Sequence, residues 1–132
     1  MNLYKSFDVE DFTEVFQGNT RQEDVWMTNI CEQTEMWVDM TQWIKNVVRH
    51  NPELSEPEQE LLSTAYKNVI NPQRSALRKL VRIEESLERN NSKKLPIIRE
   101  YKSKIEASMN QYCNEILELL ETKIIPASEH NP

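Results

Sequence analysis

Three basic residues are spaced so that they could act on a single anion. Lys67, Arg74 and Arg78 follow one another at steps of seven and four. At about 100° per residue of an α-helix, Arg74 projects within about 20° of Lys67, and Arg78 within about 20° on the other side. The rise from Lys67 to Arg74 is about 10.5 Å. A row of this kind can converge on one dianionic phosphate, because Arg offers a planar fork and Lys a mobile point charge. Glu85 falls on the same line and limits the positive field at its far end. Charged stripes opposite apolar ones are usually just solvated faces, so spacing alone favours that reading over an anion site.

Other chemistries find little support. The chain has two histidines, His50 and His130, and no HExxH or CxxC spacing, so no metal site is expected. Its single Gly excludes most phosphate-cradling loops. Acid pairs such as Glu115 with Glu118 fit solvated helix faces, and no nucleophile–base pairing stands out. The expectation is a protein that is not an enzyme and needs no cofactor. Twenty-two acids against 16 bases give a net charge of −6, which argues against nucleic acid as a partner. Cys31 and Cys113 form no disulfide framework, and free thiols fit a cytoplasmic or nuclear setting. No apolar run is long enough to span a membrane. The first residues lack the apolar core of a secretory signal, so no membrane role is expected.

The elements that must position the basic row read as helices from end to end, an all-α fold. Residues 1–19 form an acidic extension. Phe12, Val15 and Phe16 could share one side of a short helix there, with Gly18 as its stop. Residues 20–132 form the helical region proper. Thr20 with Glu23 makes a capping box, after which Met27, Ile30, Cys31 and Thr34 recur at helical spacing. Trp37, Met40, Thr41, Ile44, Val47 and Val48 mark the next helix, which His50-Asn51-Pro52 ends. Ser55 with Glu58 opens a long helix whose stripe is Leu62, Ala65, Val69, Ala76, Leu80, Ile83 and Leu87. Pro72 is expected on that stripe, where it should kink or interrupt the helix. Asn90-Asn91-Ser92 breaks it. A last helix starts near Pro96, runs through Ile98, Tyr101, Ile105, Met109, Tyr112, Ile116 and Leu119, and should stop at Pro126. The two long helices, joined by a short polar turn, should pack antiparallel in a bundle. Trp26, Trp37 and Trp43 are expected in a core or interface, and Cys113 as a buried thiol.

The words around the basic row resemble the 14-3-3 family. They run from Glu53-Leu54-Ser55 through Leu61-Leu62-Ser63-Thr64-Ala65-Tyr66-Lys67-Asn68-Val69-Ile70, with Arg74-Ser75 following. Arg99-Glu100-Tyr101, Lys104-Ile105-Glu106, Cys113 through Leu120 and Ile125-Pro126 continue the likeness, which covers about residues 21–128. The resemblance implies antiparallel helices that dimerise into a cup and bind phosphoserine or phosphothreonine peptides of client proteins in an amphipathic groove. By the same likeness, Lys67 and Arg74 match the family's phosphate-contacting lysine and first arginine. Ile30, Cys31 and Thr34 match the first-helix side of the dimer interface, and Ala76, Leu80, Ile83 and Tyr101 the surface it meets. Asp39 and Lys104 match an inter-subunit ion pair.

The departures bear on function. The family's second arginine and its tyrosine belong to a following helix, so the natural protein is expected to continue beyond Pro132. Gln73 replaces the first of an Arg pair, Asn71-Pro72 replaces a small, flexible step, and Leu77 replaces a Trp. Ala76 stands where many members carry a phosphorylatable Ser. Met36 and Ser108 occupy the positions of a second inter-subunit ion pair, which is therefore lost. Two readings stay open at this point: a phosphopeptide-binding adaptor, and a helical dimerisation or scaffold module with an impaired groove.

Overall fold

A computed structural model describes residues 20–129. The short helix expected around Phe12, Val15 and Phe16 lies outside the described residues. The described elements are α1 (Arg21–Gln33), α2 (Trp37–His50), α3 (Glu56–Arg89), α4 (Leu95–Leu119), a π turn (Leu120–Ile124) and α5 (Ile125–Glu129). Among the described residues there is no strand. The all-α antiparallel arrangement agrees with the sequence reading.

Local chemistry sets the helix ends. Thr20 Oγ1 accepts from Glu23 N–H at 3.1 Å and caps α1. At α3 the capping box is complete: Ser55 Oγ accepts from Glu58 N–H, and Glu58 Oε1 accepts from Ser55 N–H. These contacts satisfy donors that a helix start leaves orphaned. Both α1 and α3 end in Schellman turns. Glu35 and Asn91 adopt left-handed backbone at φ 57° and 51°. Met36 N–H returns to Cys31 C=O, and Ser92 N–H to Leu87 C=O, each at 2.9 Å. Asn tolerates that conformation readily; Glu35 takes it without that help.

The core lies where α2 meets α3. Met40, Ile44, Val47 and Val48 of α2 pack with Leu61, Leu62, Ala65, Tyr66 and Ile70 of α3, closed by Cys31 of α1 and Ile124 of the π turn. Each large side chain fully buried this way contributes about 1.5–3 kcal/mol. α1 packs chiefly on α2, and α3 chiefly on α4. In contrast, α4 buries no residue fully. Its Ile98, Ile105, Met109, Tyr112, Ile116 and Leu119 are half-buried, and Tyr101 is exposed.

Three sequence expectations need correction. Pro72 does not break α3, which is continuous from Glu56 to Arg89. It is exposed rather than on the buried stripe, and so is Asn68, whose carbonyl loses its usual donor and can be hydrated instead. Pro126 does not stop the last helix. The π turn widens the backbone just before it, with Ile125 N–H bonded to Leu120 C=O, and Pro126 then sits inside α5. Of the tryptophans, Trp43 is in the core, while Trp26 is 61% exposed and available to an interface. Cys113 is half-buried, not enclosed.

Candidate functional site

The middle of α3 presents two faces at once. Ala65, Val69 and Tyr66 turn into the protomer, while Lys67 and Arg74 point outward. Between α3 and α4 the outward side forms a shallow, open pocket of about 460 Å³. Ser63, Tyr66, Lys67, Ile70, Asn71, Arg74 and Ile116 line it. Helix geometry explains the grouping, because Ser63, Ile70, Asn71 and Arg74 stand four before and three, four and seven after Lys67. Arg78 is exposed and is not part of this lining, so the basic row narrows to two pocket cations.

The pocket floor is held rigid by α4. Tyr66 and Tyr112 meet edge to face with ring centroids 6.5 Å apart. Tyr66 Oη donates to Glu115 Oε2 at 3.3 Å, and Lys45 Nζ reaches Glu115 Oε1 at 3.5 Å. Burial and the neighbouring Glu115 carboxylate push the Tyr66 phenol up from its usual range. It therefore stays a neutral donor. Both carboxylate oxygens of Glu115 are engaged in this network.

Neither Lys67 nor Arg74 enters an ion pair with any described residue. Two cations outside any ion pair among the described residues, set beside the apolar Ile70 and Ile116, suit an anionic group carried on a partly apolar chain. No group of three or more His, Cys, Asp or Glu among the described residues could hold a metal ion.

Comparison with known proteins agrees with this architecture. Residues 27–132 match the family described as 14-3-3 protein. The chain belongs to the 14-3-3 family. It is 42% identical over 106 residues to the human 14-3-3 protein beta/alpha, covering 80% of this chain and 43% of that protein. It is 37% identical over 112 residues to the checkpoint signal transducer rad25 of Schizosaccharomyces pombe, covering 84% of this chain and 42% of that one. A 14-3-3-like protein of Pisum sativum is 39% identical over 111 residues. The chain thus spans less than half the length of these relatives.

The 14-3-3 likeness also named a dimer face, and its residues fall in different environments. Thr34, Ile83 and Tyr101 are exposed, Ile83 at 44% and Tyr101 at 54%. Ile30, Asp39 and Ala76 are half-buried. Cys31 and Leu80 are buried within the protomer. Burial, then the nearby Asp39 charge, pushes the Cys31 thiol up to about 11, so it is not a reactive thiolate. Burial likewise raises the Asp39 carboxyl above its ordinary value. Lys104 is exposed and lies 3.7 Å from Glu100 on its own helix.

Sequence reasoning missed the residues that complete the pocket and brace it. Ser63, Ile70 and Asn71 could have been found by stepping three and four residues from Lys67. Ile116 and Glu115 come from another helix, and only the α3–α4 register brings them in.

Proposed function

We propose that this chain carries part of the binding groove of a non-catalytic, phosphoserine- or phosphothreonine-peptide-binding adaptor. The observation that supports it is the pairing of Lys67 and Arg74, free of carboxylate partners among the described residues, in one pocket with an apolar side. A phosphate carries nearly two negative charges and three acceptor oxygens, which such a pair recognises through charge-assisted hydrogen bonds. The partners are phosphorylated client proteins. The acidic net charge is no obstacle, because the cations act locally. A soluble cytoplasmic or nuclear signalling role follows from this reading.

The exposed Thr34, Ile83, Tyr101 and Lys104, with the half-buried Ile30, Asp39 and Ala76, make up the face assigned to a homodimer, while Cys31 and Leu80 support it from within the protomer. Asp39 of one copy would meet Lys104 of the other. A rim pair of this kind contributes about 0–1 kcal/mol, so the apolar residues carry the association.

The test is a fluorescent peptide bearing one phosphoserine, titrated beside its unphosphorylated twin. The 132-residue chain should prefer the phosphorylated form, and Lys67→Glu should abolish that preference. Each charge-assisted bond contributes about 1.5–3 kcal/mol, a change of roughly tenfold or more in affinity. Equal affinity of the unaltered chain for both peptides defeats the adaptor reading. A stable dimer in sedimentation, coupled with that equality, favours the scaffold module, a reading supported by the openness of a pocket with only two cations.

A further inference from the structure

We propose that the acidic stretch Asp8–Glu14 docks in the Lys67–Arg74 pocket of its own chain and competes there with phosphorylated ligands. This inference rests on the anion-binding reading of the pocket. Three observations carry it.

The first is chemical fit. The stretch Phe7-Asp8-Val9-Glu10-Asp11-Phe12-Thr13-Glu14-Val15 holds four carboxylates interleaved with apolar side chains and no cation. The pocket offers the converse, two cations beside Tyr66, Ile70 and Ile116. The second is position: the exposed Arg49 of α2 is bonded to Asn46 Oδ1, and Arg78, Lys79 and Arg82 lie beyond Arg74. Along α3, no cation precedes Lys67, and Glu56 and Glu60 repel an acidic strand from the first turns. Lys45, on the neighbouring helix, is engaged by Glu115.

The third is reach. Arg21 anchors the root of the segment to the start of α3. Its guanidinium meets Glu58 Oε2 at 2.8 Å and Oε1 at 2.9 Å, and donates to the carbonyls of Asn51 and Glu53. Lys67 and Arg74 lie about 13 and 24 Å farther along the same helix axis. Even half a turn around a helix about 10 Å across adds no more than about 16 Å. The surface path is therefore at most about 20 Å to Lys67 and about 30 Å to Arg74. Asp11 stands nine residues before Thr20 and Asp8 twelve. Extended chain gives them about 30 and 40 Å. Tethering at this range gives an effective concentration of order millimolar, which favours the chain's own segment over a second copy.

Two measurements on the full chain test this. Zero-length carbodiimide coupling joins an amine to a carboxylate in direct contact. Mass spectrometry of the monomer band should find Lys67 joined to one of Asp8, Glu10, Asp11 or Glu14. The variant D8N/E10Q/D11N/E14Q should then bind the phosphoserine peptide about five- to tenfold more tightly, as when a pocket that is mostly occupied becomes free. No such crosslink and unchanged affinity overturn the proposal, while a phosphate preference lost in Lys67→Glu leaves the adaptor reading standing. Crosslinks confined to the dimer band overturn docking in the same chain. Crosslinks in the monomer band, with no phosphate preference in either protein, uphold the docking itself and overturn the competition and the adaptor reading.

Discussion

Gln73 Nε2 donates to Ser108 Oγ at 2.8 Å, joining α3 to α4 midway along their hairpin. The resemblance sets Gln73 at one position of an arginine pair and Ser108 at one position of an inter-subunit ion pair. Each substitution taken alone reads as a loss. Together they form a contact within one protomer that ties the hairpin.

Gln73→Ala and Ser108→Ala should each lower stability by about 0.5–1.5 kcal/mol, the usual net worth of such a bond. The double variant should cost less than the two losses combined, because the second substitution removes nothing more. Urea unfolding of the four proteins measures this. Additive losses would mean that the bond contributes no coupling.

The Arg21–Glu58 pair gives the fold an acid-sensitive joint. Its hydrogen bond from Arg21 holds the Glu58 carboxyl below its usual value, against a smaller opposing effect of burial. A carboxyl lowered in the folded state stabilises fully above its unfolded value of about 4.3. That contribution is lost as pH falls through the folded value. Glu58→Gln should therefore reduce stability at pH 7 and flatten the loss of stability below about pH 4.3. Thermal melts from pH 7 to pH 3 follow it. Parallel pH profiles in the two proteins would remove Glu58 from the account.

Much of this was legible in the sequence. Caps at Thr20 and Ser55, the break at Asn90-Asn91-Ser92 and the stripe of α2 are local signals, and the chain obeys them. Helical spacing placed Lys67, Arg74 and Arg78 on one line, but the resemblance, not the spacing, singled out Lys67 and Arg74. Pro72 and Pro126 misled because a proline's cost depends on its surroundings. At Pro72 the orphaned carbonyl can reach water, and at Pro126 a π turn absorbs the strain. Glu115, Ile116 and the Gln73–Ser108 bond depend on the α3–α4 register, which no local spacing encodes.

Asp24 and His50 join the ends of α1 and α2. Asp24 is fully buried, and its Oδ2 lies 2.8 Å from His50 Nε2. Removing one partner of a buried carboxylate costs about 1–3 kcal/mol. His50→Ala should show a loss of that size, and His50→Gln, which can still donate, a smaller one. Chemical denaturation of both variants decides it. Equal and negligible losses would reduce the pair to a surface contact.

Pro72 offers the clearest separation of stability from binding. Its ring removes one backbone donor from the middle of α3, leaving the Asn68 carbonyl without its helical partner. In a helix interior this costs up to about 3 kcal/mol relative to Ala. Exposure of both Asn68 and Pro72 lets water recover part of it. Pro72→Ala should therefore stabilise the chain by about 1–2 kcal/mol, less than the full penalty. Pro72 sits between Asn71 and Arg74, so the same substitution tests whether the proline aims the pocket arginine. Helix α3 is already continuous here, so phosphoserine-peptide affinity should change by less than about threefold, under 1 kcal/mol. Calorimetry and peptide titration on one preparation give both numbers. A stabilised protein with sharply weaker binding would show that the proline, and not the helix alone, sets the direction of Arg74.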